Sequence, residues 1–185
     1  MSINKSLVGH RAFIFHFFLL LSAPDFLIDM IKKLLKYVAI VLVAALVIIQ
    51  FINRPETHFE EVTNDDIIVN LQVNEEVALI LKSACYDCHS DQPRYPWYAS
   101  IAPVSWWIDE HMEHGRDELN FSKWATFSKR RRDHKLEEVV EEVEEGHMPL
   151  PSYTWMHSDA RLTEEQIAKL KEWVETERAK IQAEN

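Results

Sequence analysis

Residues 34–52, LLKYVAIVLVAALVIIQFI, are apolar at all but two positions, Lys36 and Gln50. No amphipathic period interrupts the stretch. At 1.5 Å per residue a helix over it spans roughly 28 Å, close to a bilayer's hydrocarbon thickness. Beyond residue 53 the pattern changes to one apolar position every three or four residues. Asn74 is placed to cap a helix whose first turn holds Glu75 and Glu76, and Val77, Ile80, Leu81 and Ala84 form its inner face. Pro103 suits the first turn of a second helix. Leu136, Val139, Val140 and Val143 mark a third, opposite a glutamate face, with Gly146 at its C-terminal end. Thr163 and Gln166 make a capping box for a last helix with Ile167, Leu170, Trp173 and Val174 inside. No stretch alternates as a strand does. The body reads as all-α.

The flanks of the apolar stretch give it a direction. Lys32, Lys33 and Lys36 crowd its N-terminal side, and NRPETHFEEVTNDD follows it. Positive charge stays cytoplasmic, so the body is expected on the other face of a bacterial inner membrane, in the periplasm. No small-residue cleavage site follows, so an uncleaved anchor is expected rather than a signal peptide. Residues 1–29 fit this scheme poorly, because AFIFHFFLLL is too short to span. Met30 opens a basic-then-apolar start of its own. The expected organisation is an uncertain extension over 1–29 with Met30 as the true start, an anchor over 30–53, a linker over 54–64 and a folded domain over 65–185.

Charge narrows the partners. The net charge is −10. Residues 1–53 hold five basic and two acidic side chains, leaving 15 basic and 28 acidic ones beyond. Such a body repels nucleic acid, and the basic run KRRR at 129–132 does not outweigh it. Only three glycines occur, and no phosphate-binding glycine motif is present.

The chain's only cysteines are Cys85 and Cys88, and His89 follows them directly. C-x-x-C-H is the attachment pattern of haem c. Both thiols can add to the porphyrin vinyl groups, and the adjacent imidazole then reaches the iron. A zinc site would need further ligands, with His111 and His114 as the available recruits. A redox dithiol would be expected after a strand, and none is visible. A disulfide across two residues closes too small a loop to stabilise much. For the opposite iron face Met148, before Pro149, is the favoured ligand, with His147, His111, His114 and His157 as rivals. His/Met ligation leaves no open position and suits electron transfer.

CYDCHSDQPRYPWYASIAPVSWWIDEHMEHGRDELNFSKW together with EEGHMPLPSYTWM resembles the small haem-binding domain family of Bacteroidetes-type bacteria, a cytochrome c-like group. The likeness covers about residues 65–178 and rests on C-x-x-C-H, YPWY, APVSWW, HGR, NFS-W and G-x-M-P. It implies a cytochrome c-like helical domain around one covalent haem, with Cys85 and Cys88 as attachments, His89 as proximal and Met148 as distal ligand. By the same carry-over, Ala102 or Pro103 offers a carbonyl to the second nitrogen of His89. Trp97, Trp106, Trp107, Tyr95 and Tyr153 wall the haem, and Arg94 and Arg116 meet its propionates. The expected protein is a membrane-anchored monohaem electron carrier that meets redox partner proteins, rather than an enzyme. The rival is a peroxidase-like haem enzyme or gas sensor with a labile sixth ligand.

Overall fold

The computed structural model describes residues 6–57 and 59–184, with side chains from residue 25 onward. The expectation about the chain's first residues lies partly outside this range. The chain divides into two compact units, residues 1–52 and 53–185.

The first unit is one helix, α1 (Ser6–Ile49), which runs through Met30 without a break. From Phe26 to Ile52 its large apolar side chains are almost all exposed. The helix ends at Ile49, and residues 50–52 turn back through hydrogen bonds to the carbonyls of Val47, Ile48 and Ile49. Its uninterrupted apolar part, residues 37–49, therefore extends only about 20 Å. Among the described residues no helix is long and apolar enough to cross a membrane.

The second unit is all-helical, and its described residues contain no strand. A short α2 (Ile67–Asn70) is capped by Asp66, whose carboxylate accepts from Ile68 N at 2.9 Å. Then α3 (Glu75–Ala84) starts where Asn74 Oδ1 accepts from Val77 N at 3.0 Å. It passes directly into the one-turn α4 (Tyr86–His89). A 3₁₀ turn (Trp97–Ser100) leads to α5 (Val104–Glu118), which begins one residue after Pro103. Another (Phe121–Thr126) leads to α6 (Lys129–Glu144). After α7 (Pro151–Met156) and a third 3₁₀ turn (Ser158–Ala160), α8 (Glu164–Ala183) closes the fold, with the Thr163–Gln166 capping box formed.

The longest interface joins α6 to α8. Leu136 and Val143 of α6 meet Leu170, Trp173, Val174 and Ile181 of α8 in one core with Val77, Leu81, Tyr86, Phe121 and Trp124. Val139 and Val140 pack against its edge. The glutamate face of α6 is solvated and ion-paired, to Lys171 from Glu144 and to Arg178 from Glu137. The basic run is spent locally. Lys129 donates to the carbonyls of Gln182 and Glu184, Arg131 lies over the Phe127 ring, and Arg132 pairs with Glu184.

Candidate functional site

The turn that carries both cysteines is held from opposite sides by the two residues between them. Tyr86 is buried, stacks on Phe121 at 5.5 Å and donates its hydroxyl to Asp66 at 2.9 Å. Asp87 is buried too. Its carboxylate accepts from Arg94 N, Nε and Nη2 at 2.9, 3.2 and 3.1 Å, and from the Tyr153 hydroxyl at 2.6 Å. Just downstream, Ser90 Oγ donates to the Tyr86 carbonyl at 2.7 Å. Asp91 takes a hydrogen bond from Asn120 at 2.8 Å, and its N–H donates to Ser122 Oγ at 3.1 Å. Thus Tyr86 and Asp91 tie the motif to NFS thirty residues on, while Arg94 and Tyr153 hold Asp87. Arg94, expected on a propionate, is instead bidentate on Asp87 with Asp159 at 3.7 Å, because the buried carboxylate is the nearer and stronger partner.

Against this turn lies α5. A Cβ on Gly115 would stand 2.6 Å from the Cys88 carbonyl oxygen, so only glycine allows the two helices to approach this closely. The approach delivers the Leu119 carbonyl to His89 Nδ1 at 3.0 Å. A carbonyl only accepts, so Nδ1 carries the proton and Nε2 keeps its lone pair. The partner is therefore Leu119, not Ala102 or Pro103, since it is the C-terminal end of α5 that reaches the ring. Burial pushes the His89 pKa down, while the carbonyls of Leu119 and Gly115 pull it partly back. The imidazole stays neutral, as a metal-binding imidazole must.

His89 opens onto a cavity of about 340 Å³, shared with Cys85, Leu119, Phe121, Val139 and Met148. Phe121 stands 6.2 Å from the imidazole, ring centre to ring centre. Met148 gets there through the end of α6. Gly146 adopts φ +75°, and the N–H groups of His147 and Met148 both turn back onto the Glu142 carbonyl at 2.9 Å. The rim is charged: Lys135 pairs with Glu138 at 2.6 Å and Glu118 at 3.4 Å.

Cys88 faces the other way, onto a second cavity of about 450 Å³. Trp97, Trp107, Tyr95 and Tyr153 gather there and not around His89, and Trp106 lines neither cavity. The four rings sit on α5, on the segment before it and on α7. Of the rival ligands, His111 and His157 line this second cavity, His114 is exposed, and His147 points outward between Glu142 and Glu145.

The two thiols are unbridged. Burial, then each other's proximity, lifts Cys85 to about 12. Burial and Asp87 lift Cys88 to about 11, against a lowering by Arg116. These are opposite to the depressed thiols of redox dithiols. No group of three or more His, Cys, Asp or Glu side chains among the described residues could hold a metal ion. The donor set suits haem better. It offers a neutral imidazole nitrogen, a thioether across the same cavity and the Cys85 thiol beside them, with the Cys88 thiol on the same turn facing the other cavity.

An all-α domain of this kind, with C-x-x-C-H on an internal turn, defines the class as a haem-binding module. The comparisons agree. The sequence model described as a haem-binding domain matches residues 44–176, and the chain belongs to that family. No curated protein and no solved structure matches the chain.

Proposed function

We propose that the chain is a membrane-anchored monohaem c-type cytochrome that passes single electrons. One observation carries the reading. The Leu119 carbonyl fixes the tautomer of His89, so that Nε2 has a lone pair beside the cavity that also holds Cys85 and Met148. Cys85 and Cys88 would hold the macrocycle by thioether bonds, and His89 and Met148 would be its iron ligands. Bound there, haem supplies an iron centre that alternates between ferrous and ferric forms. The chain's own part would be to bury it among Phe121, Leu119 and Val139 and to orient the His89 ring through Leu119.

The anchor is residues 30–53. In support, the large apolar side chains of α1 from Phe26 onward are almost all exposed, and Lys32, Lys33 and Lys36 precede the apolar run. The 13-residue helical part of the apolar run is short for a bilayer, so Leu34, Leu35, Phe51 and Ile52 join it while Lys36 extends toward the headgroups. On this reading the domain is periplasmic.

The test is the full chain matured in a bacterial host that attaches haem c. Expected are a haem stain that survives denaturing electrophoresis and a six-coordinate low-spin spectrum. The weak long-wavelength ferric band of Met–iron bonding should be lost in Met148→Ala. A five-coordinate, high-spin haem that binds carbon monoxide readily would overturn the carrier reading in favour of an enzyme or sensor. Recovery in the alkali-washed membrane pellet tests the anchor.

A further inference from the structure

We propose that the aromatic cavity beside Cys88 is a second ligand site, which takes the neutral head group of a quinone or quinol. The proposal rests on the reading that haem sits in the His89–Met148 cavity with the Cys88 side chain turned toward it, out of the cavity it lines here.

At about 450 Å³ the cavity falls in the range of small-molecule sites, and its walls are almost wholly apolar. Its mouth is lined by Trp97, Trp155 and Met156, 75%, 81% and 60% exposed. Large apolar side chains grouped and exposed in this way mark a binding surface on an otherwise acidic domain. Flat walls of Trp107, Tyr95 and Tyr153 suit a planar ring.

A few polar groups converge inside. The Tyr98 hydroxyl and His157 Nε2 are 2.6 Å apart, and the His157 ring stacks on Tyr153 at 4.3 Å. This pair has two states. When Nε2 carries the proton and donates to Tyr98, the tyrosine O–H is released to donate to a ligand carbonyl. When Tyr98 donates to a bare Nε2, its oxygen lone pairs accept a ligand hydroxyl. A ring that exchanges carbonyl for hydroxyl meets a matching partner in each form. His111 adds an acceptor: its Nδ1 donates to the Trp107 carbonyl at 2.8 Å, which leaves Nε2 bare. The cavity's cation is already engaged, since Arg94 is held by Asp87 and Asp159. A neutral ligand fits this balance better than an anion.

The experiment is isothermal titration of the haem-loaded full chain in detergent with menadione, against a blank of the same micelles. Saturable one-to-one binding is expected. Tyr98→Phe should weaken it about tenfold, the equivalent of one lost hydrogen bond, with the haem spectrum unchanged. Trp97→Ala with Trp155→Ala should weaken it as well. Absence of saturable binding, or unaltered affinity in Tyr98→Phe, would overturn the proposal. So would binding by a haem-free Cys85→Ala, Cys88→Ala chain that disappears on haem loading, since haem itself would then fill the cavity. A spectrum without Met–iron bonding in a chain that still binds menadione would count against the ligand reading alone.

Discussion

Replacing Gly115 by alanine sets two physical effects against each other, and the structure decides the sign. In an ordinary helix interior the change stabilises by about 1 kcal/mol, because glycine has the more flexible unfolded chain. Here the added methyl would stand 2.6 Å from the Cys88 carbonyl oxygen, about 0.8 Å inside ordinary contact. Backbone lies on both sides, so no side chain can swing away. Overpacking of this kind costs about 1–3 kcal/mol. If α5 withdraws by the missing distance, the 3.0 Å bond from His89 to Leu119 stretches beyond hydrogen-bond range, at a further cost of about 1 kcal/mol. The balance is a loss of about 2 kcal/mol, or roughly 6–10 °C in melting temperature for a domain of this size. The assay is thermal unfolding of the haem-free chain, followed by circular dichroism. Nitrogen NMR of the His89 ring reads the tautomer directly, and its protonated Nδ1 signal should broaden or move in the variant. Gly146→Ala is the control: its φ of +75° strains any other residue, but nothing lies within 4 Å. It should lower stability without touching the His89 signal. A Gly115→Ala chain that melts at or above the wild type would refute the close approach.

Tyr153→Phe removes the 2.6 Å donor to buried Asp87, and urea unfolding should show a loss of about 1–2 kcal/mol because Arg94 still covers that carboxylate. Phe121→Ala opens the core under both Tyr86 and His89 and should cost about 3–5 kcal/mol by the same measurement. In the haem-free folded chain at pH 8, iodoacetamide should modify Cys88 on the order of a hundredfold, and Cys85 a thousandfold, more slowly than in urea. Those factors follow from burial raising the thiols to about 11 and about 12 from an ordinary thiol's 9.0. Rapid alkylation of either thiol in the folded chain would contradict its burial.

The helices that pack through a repeating apolar face were legible in the sequence. Asn74, Thr163 with Gln166, and Gly146 stand at the ends that their chemistry indicated. Cys85, His89 and Met148, singled out in the sequence, meet on one cavity. What stayed hidden depends on contacts between distant parts of the chain. Nothing local shows that Asp87 will be buried against Arg94 and Tyr153, or that Leu119 rather than Ala102 meets His89. Nor does it show that Cys88 and most of the aromatic residues will face a different cavity. Glu177 is a further case. A charged residue on the last helix reads as solvated, yet it is 5% exposed and answered by Lys180. The one visible hint was composition. Tyr and Asp between the two cysteines are residues with hydrogen bonds to make.

The double clamp on Tyr86 and Asp87 has a consequence for the order of events in the protein's making. On the cytochrome reading, once Asp66 holds one spacer residue and Arg94 with Tyr153 holds the other, the C-x-x-C-H turn is closed to an incoming macrocycle. An attaching enzyme needs both thiols at once, and the finished fold presents them to different sides. On the cytochrome reading, the window for maturation is the interval between the emergence of residue 89 from the membrane and the docking of α7, which brings Tyr153 some sixty residues later. Chains that close early would be stable, correctly folded by most criteria, and permanently colourless.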